Sequence, residues 1–151
     1  MLSSKFSQNL SKIAKKTDDY LKKFFFKKNI SPLIKPMKYG LFSGGKRFRS
    51  AIVVSTGKIF KIDSKKLIVI GAAIECIHSY SLMHDDLPAM DNDSLRRGKL
   101  STHKKFNEFT AILAGNSLLT SAFEILSSRN LNLTSKTKNK LVESLSLCCG
   151  Y

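Results

Sequence analysis

Residues 64–98 read SKKLIVIGAAIECIHSYSLMHDDLPAMDNDSLRRG, an apolar run that passes without a break into a cluster of carboxylates. Residues 68–70 are β-branched and resemble a strand, but the apolar pattern continues to Met83, too long for one. The run is therefore a helix, capped by Asp63 or Ser64, ending near Pro88 and central to the fold. Helical spacing recurs on either side of it. An amphipathic helix covers residues 6–26 with Phe6, Leu10, Ile13, Leu21 and Phe24 on its apolar face. Further helices are expected in RFRSAIVVSTGKIF (47–60) and EFTAILAGNSLLTSAFEILSS (108–128), with Ser31 and Pro32 as a cap and first helical position. No alternating pattern with hairpin turns appears, so the expected class is all-α, and no linker or repeat divides the chain.

Composition narrows the function. The 151 residues carry a formal net charge of +15, yet the lysines are scattered through KKTDDYLKKFFFKK, KIFKIDSKK and TSKTKNK without a zinc-finger or RNA-recognition signature. A solvated basic surface is expected, and no nucleic acid. Three cysteines in no ligand spacing fit a reduced compartment. MLSSKFSQNL lacks a signal-peptide core and no apolar run approaches the roughly 18 residues of a membrane span, so a cytoplasmic protein is expected. Only five arginines occur, and four form the tight pairs Arg47/Arg49 and Arg96/Arg97. A guanidinium fork grips phosphate with two parallel bonds where lysine offers a point charge.

The carboxylates Asp85, Asp86, Asp91 and Asp93 pose a charge problem. At about 6 Å and an effective dielectric near 20, two of them repel by roughly 3 kcal/mol, so they need a counter-charge: the Arg96/Arg97 pair or a hard divalent metal. Asp85 and Asp91 lie about 240° apart on an ideal helix, so Pro88 must bend or end the helix for them to converge. Mg²⁺ suits such a platform, because it keeps several waters and completes its shell with substrate phosphates.

Together YGLFSGGKRFR, ECIHSYSLMHDDLPAMDNDSLRRGKLSTHKKF and AILAGNSLLTSAFEIL resemble the trans-prenyltransferases, specifically bacterial farnesyl diphosphate synthases. The resemblance implies the N-terminal half of the isoprenoid synthase antiparallel helical fold, with residues 1–151 a single partial domain. It implies Mg²⁺-dependent head-to-tail condensation of isopentenyl diphosphate with dimethylallyl or geranyl diphosphate. Asp85, Asp86 and Asp91 then form the catalytic aspartate set, with Asp85 and Asp91 as metal ligands. Lys46, Arg49, His78 and Arg97 match the set that grips isopentenyl diphosphate, and Arg96 matches the allylic-diphosphate arginine. Tyr80 resembles the aromatic that limits product length, although Ser81 faces the aspartates more directly on a helix. The resemblance also admits a homodimer. Ser50 stands where proline is usual, and the second aspartate-rich motif of the family is not among these residues. The competing expectation is accordingly an inactive remnant that at most binds diphosphate.

Overall fold

The computed structural model describes residues 2–26, 28 and 31–149. Helix α1 spans Leu2–Phe26, α2 Ile34–Leu41, α3 Phe48–Ile59 and α4 Ser64–Asp85. A hairpin of β1 (Leu95–Arg96) and β2 (Lys99–Leu100) follows, then α5 (Thr102–Lys105), α6 (Glu108–Ser127), a 3₁₀ turn (Arg129–Leu131) and α7 (Ser135–Cys149). The all-α expectation holds. Asp63 caps α4, its carboxylate accepting the Lys65 N–H at 3.1 Å. Ser31 and Pro32 stand before α2 and do not open it, because the Ser31 hydroxyl accepts the Leu33 N–H and closes a local turn first.

The core forms where α4 and α6 lie side by side. Ala72, Ala73 and Cys76 of α4 face Ala114, Leu118 and Ala122 of α6, and these small side chains let the backbones approach. Leu21 and Phe25 of α1 and Met37 and Leu41 of α2 close the cluster. The apolar face of α1 turns inward over its second half, with Phe25 buried and Phe24 only partly so, whereas Phe6 is exposed. Contrary to the sequence expectation, α4 and α6 each contain an 18-residue window of mean hydropathy 1.4, long and apolar enough to cross a membrane by length and composition. The average stays that high although Glu75, His78 and other polar residues interrupt the run in α4. In this structure the two helices pack on each other as core helices.

A buried polar network joins α1, α3 and α4. Gly71 of α4 meets Ser50 of α3 so closely that a Cβ on Gly71 would lie 2.9 Å from the Ser50 Cα. One turn further along α4, Glu75 reaches the start of α3 and its Oε1 accepts the Ser50 N–H at 3.1 Å. That N–H sits in the first turn of α3, where no carbonyl of the helix itself can accept it, so Glu75 acts as a cap supplied from another helix. The other Glu75 oxygen lies 3.7 Å from Arg47 Nη1, with both side chains less than 5% exposed. Arg47 also donates to Asp18 Oδ1 and to the Leu41 carbonyl, each at 2.7 Å. The Ser50 and Thr17 hydroxyls share a 2.7 Å bond.

Removing one partner of such a buried pair strands the other charge, at a cost of about 3–5 kcal/mol. Glu75→Ala is therefore expected to lower unfolding stability by that order in urea titrations. A loss below about 1 kcal/mol, the range of exposed ion pairs, would contradict the buried pairing.

Candidate active site

The segment between α2 and α3 turns through three positive-φ residues: Gly44 (φ 104°), Gly45 (φ 126°) and Arg47 (φ 49°). Glycine frees the first two, and Arg47 is held in its left-handed conformation by its partners Asp18, Glu75 and the Leu41 carbonyl. The turn leaves Lys46 and Arg49 exposed on either side of the buried Arg47. Arg47 is thus buried and held by protein partners while Arg49 is exposed, although the sequence pairs the two. A bare Cα at Gly45 also admits the Arg97 guanidinium, since a Cβ there would lie 2.9 Å from Arg97 Cζ. The motifs GGKR and RRG meet at this contact.

Arg97 arrives there from the hairpin. Arg97 and Gly98 have φ of 54° and 76°, the left-handed pair that a two-residue hairpin loop requires, with Leu95 opposite Leu100 and Arg96 opposite Lys99. A pocket open to solvent is lined by Lys46, Arg49, His78 and Arg97, with the buried Arg47 and Glu75 at its base. All four residues that the resemblance assigned to one ligand therefore line one pocket. Burial, opposed by Glu75 and reinforced by Arg49, Arg97 and Arg47, lowers the His78 pKa from the ordinary 6.5. The pocket has cations on several sides and a neutral imidazole at neutral pH, an arrangement suited to an anion with several oxygens.

A second, smaller pocket shares Gly40, Ser43, Ser79 and Leu82 with the first and contains Asp86 and Arg96. The aspartates divide into two kinds. Asp86, 2% exposed, accepts two bonds on Oδ1, from Arg96 Nε at 2.9 Å and from Arg96 Nη2. Asp93 Oδ2 accepts from the same Nη2 at 3.3 Å. The hydrogen bond to Asp86 raises the Arg96 pKa, so this arginine remains charged. Half-buried Asp85 and exposed Asp91 belong to no ion pair among the described residues. Helix α4 ends at Asp85, the chain folds back past Pro88, and the Asp91 N–H donates to the Asp85 carbonyl at 2.8 Å. The bend expected at Pro88 brings the two backbones together.

Among the described residues no group of three or more His, Cys, Asp or Glu gathers as a metal cage. Two carboxylates on adjoining backbone positions, free of ion pairs, fit a hard cation that fills most of its shell with water and phosphate oxygens. Tyr80 packs against the core cluster with its ring edge-on to His84, centroids 4.7 Å apart, and the Ser81 hydroxyl donates back to the His78 carbonyl at 3.1 Å. Sequence reasoning missed Glu75 and His84, and it left the partner of Asp93 open between the arginine pair and a metal. Glu75 was signalled by a carboxylate in the middle of a long apolar helix, and the Asp93 pairing by its spacing of three from Arg96. His84 Nε2 lies 3.1 Å from the Ile112 carbonyl and packs on Gly115, fixing the acidic end of α4 to α6.

Comparison with known proteins matches residues 31–149 to the polyprenyl synthetase family. The farnesyl diphosphate synthase of Buchnera aphidicola subsp. Acyrthosiphon pisum is 51% identical over 121 residues, which cover 80% of this chain and 43% of that protein. The Escherichia coli farnesyl diphosphate synthase is 40% identical over 148 residues, covering 96% of this chain and 50% of the enzyme. The crystal structure of a geranyltransferase from Legionella pneumophila superposes with a TM-score of 0.87 at 40% identity, over 95% of this chain and 52% of that one. The chain belongs to the polyprenyl synthetase family. It spans about half the length of the curated relatives it matches.

The lowered His78 pKa sets a pH dependence. Below about 6.5 the unfolded chain takes up the proton first, so His78 withdraws stability as pH falls from about 6.5 to its lowered folded value. Histidine ring NMR is expected to show His78 titrating below 6.5, and Arg49→Gln to move it back upward. An unchanged titration in Arg49→Gln would mean that the cation does not reach the ring.

Proposed function

We propose that these residues form the first diphosphate-binding half of a farnesyl diphosphate synthase. The reaction joins isopentenyl diphosphate head-to-tail to dimethylallyl or geranyl diphosphate, in the cytoplasm. The observation that carries the reading is the pair of adjoining pockets. One gathers Lys46, Arg49, His78 and Arg97, and the other holds Arg96 beside the aspartate-rich turn. Two diphosphates seated there would lie side by side.

In this reading the first pocket takes isopentenyl diphosphate, whose oxygens meet the Arg49 and Arg97 guanidiniums, the Lys46 ammonium and the His78 ring. Arg96 meets the allylic diphosphate. Asp85 and Asp91 would hold Mg²⁺, which when bound neutralises the allylic diphosphate and so eases its departure. Arg96 adds charge to the same leaving group, stabilising the transition state in which its negative charge grows. Tyr80 and Ser81, on the turn of α4 before the aspartates, would bound the growing chain. In the family a second aspartate-rich motif completes the site. The cavity that shields the allylic cation from water needs that other half as well.

Binding and turnover test different parts of this reading. In calorimetry, Mg²⁺ and a non-hydrolysable allylic diphosphate analogue are expected to bind mutually dependently, because phosphate oxygens complete the metal shell. Equal analogue affinity with and without Mg²⁺ would contradict the aspartate assignment. Lys46→Ala or Arg49→Ala is expected to weaken isopentenyl diphosphate, and Arg96→Ala the allylic ligand, by about 1.5–3 kcal/mol each. With labelled substrates, farnesyl diphosphate is expected when the complementary half of a relative is supplied in cis or in trans. Binding without turnover in that complemented protein would favour the remnant reading.

A further inference from the structure

The geometry points to Asp86 as the positioning residue of Arg96, holding the inner edge of its guanidinium so that the outer edge faces the ligand, and not as a metal ligand. The Asp86 side chain is 3% exposed and that of Arg96 27%. Arg96 Nε and Nη2 form one edge of the fork, and both donate to the same Asp86 oxygen. Asp93 takes a further bond from Nη2. Nη1 makes no hydrogen bond within the described residues, so the fork is half held and half presented. Asp86 also caps α4 and donates its own N–H to the Leu82 carbonyl, which ties the carboxylate to the helix.

An arginine on a two-residue strand has many rotamers, and ordering it at the moment of binding costs side-chain entropy. Asp86 removes that cost beforehand. The division of labour also accounts for two adjacent aspartates, since neighbours on a helix point about 100° apart and serve different partners. Asp85, whose carbonyl accepts the Asp91 N–H, stays outside the ion pairs, while Asp86 is committed to Arg96. This inference rests on the proposal that Arg96 meets a diphosphate.

The test uses the 151-residue chain with two probes, Mg²⁺ alone and inorganic pyrophosphate without metal. In carbon-detected NMR, Mg²⁺ is expected to shift the side-chain carboxyl carbons of Asp85 and Asp91 saturably and to leave Asp86 unmoved, with the Arg96 Nε–H still in slow exchange. A saturable Asp86 shift together with loss of that Nε–H signal would overturn the inference, and this measurement needs no variant. For pyrophosphate, Asp86→Asn is expected to weaken binding about tenfold or more, and Asp86→Asn/Arg96→Ala no further than Arg96→Ala alone. Additive losses would show that Asp86 acts independently of Arg96. Unchanged pyrophosphate affinity in Arg96→Ala, or no binding by the wild-type chain, would overturn the ligand role of Arg96 and the inference built on it. A protected Nε–H would then remain as the mark of a purely structural pair.

Discussion

The carboxylate of Glu75 is the point on which the site depends. Buried in the middle of α4, it accepts the last unpaired N–H of the first turn of α3 and faces the Arg47 guanidinium. One interaction sets a carboxylate against the partial positive charge of a helix N-terminus and the other is an ion pair. The contact exists because Gly71, one turn earlier, lets α3 and α4 approach until Ser50 touches the α4 backbone. Arg47 in turn reaches Asp18 on α1 and the Leu41 carbonyl at the end of α2. Arg47 thus fixes the start of α3 to the three helices around it through two ion pairs and a hydrogen bond to a carbonyl.

The chemistry follows from that anchoring. With Arg47 committed inward, Lys46 and Arg49 on either side are left at the surface, and Gly45 receives Arg97 from the hairpin. Cations brought this close repel one another unless something holds their backbones, and burial of Arg47 supplies the holding. The acidic turn follows the same logic. Asp86 and Asp93 restrain Arg96, so the cation and the carboxylates do not collapse on one another, and Asp85 and Asp91 stay outside the ion pairs. Each half of the site contains an arginine paired with two carboxylates and, beside it, charges open to ligands.

Much of this was legible in the sequence. The length of the apolar run in α4, the cap at Asp63 and the two motif glycines led to the right elements, and GGKR, DDLPAMD and RRG led to the residues that line the pockets. What stayed hidden has physical reasons. Arg47 and Arg49 are chemically identical and two residues apart, and only the left-handed turn at Arg47 sends one inward and the other to solvent. The hairpin has two residues per strand, too few for an alternating pattern, although Gly98 after Arg97 marked its turn. The departure at Ser50 acquired a meaning only in three dimensions. Proline has no N–H, whereas here the Ser50 N–H is the group that Glu75 accepts.

Hydrogen exchange at the Ser50 amide tests this account most directly. As a first-turn N–H of α3 it has no acceptor within its own helix, so only the buried Glu75 carboxylate can protect it. The account predicts that Ser50 exchanges as slowly as the core amides of α4, while its neighbour Arg49 exchanges fast. Exchange of Ser50 at the rate of Arg49 would show that Glu75 does not hold the start of α3, and that the cationic turn owes its shape to something else.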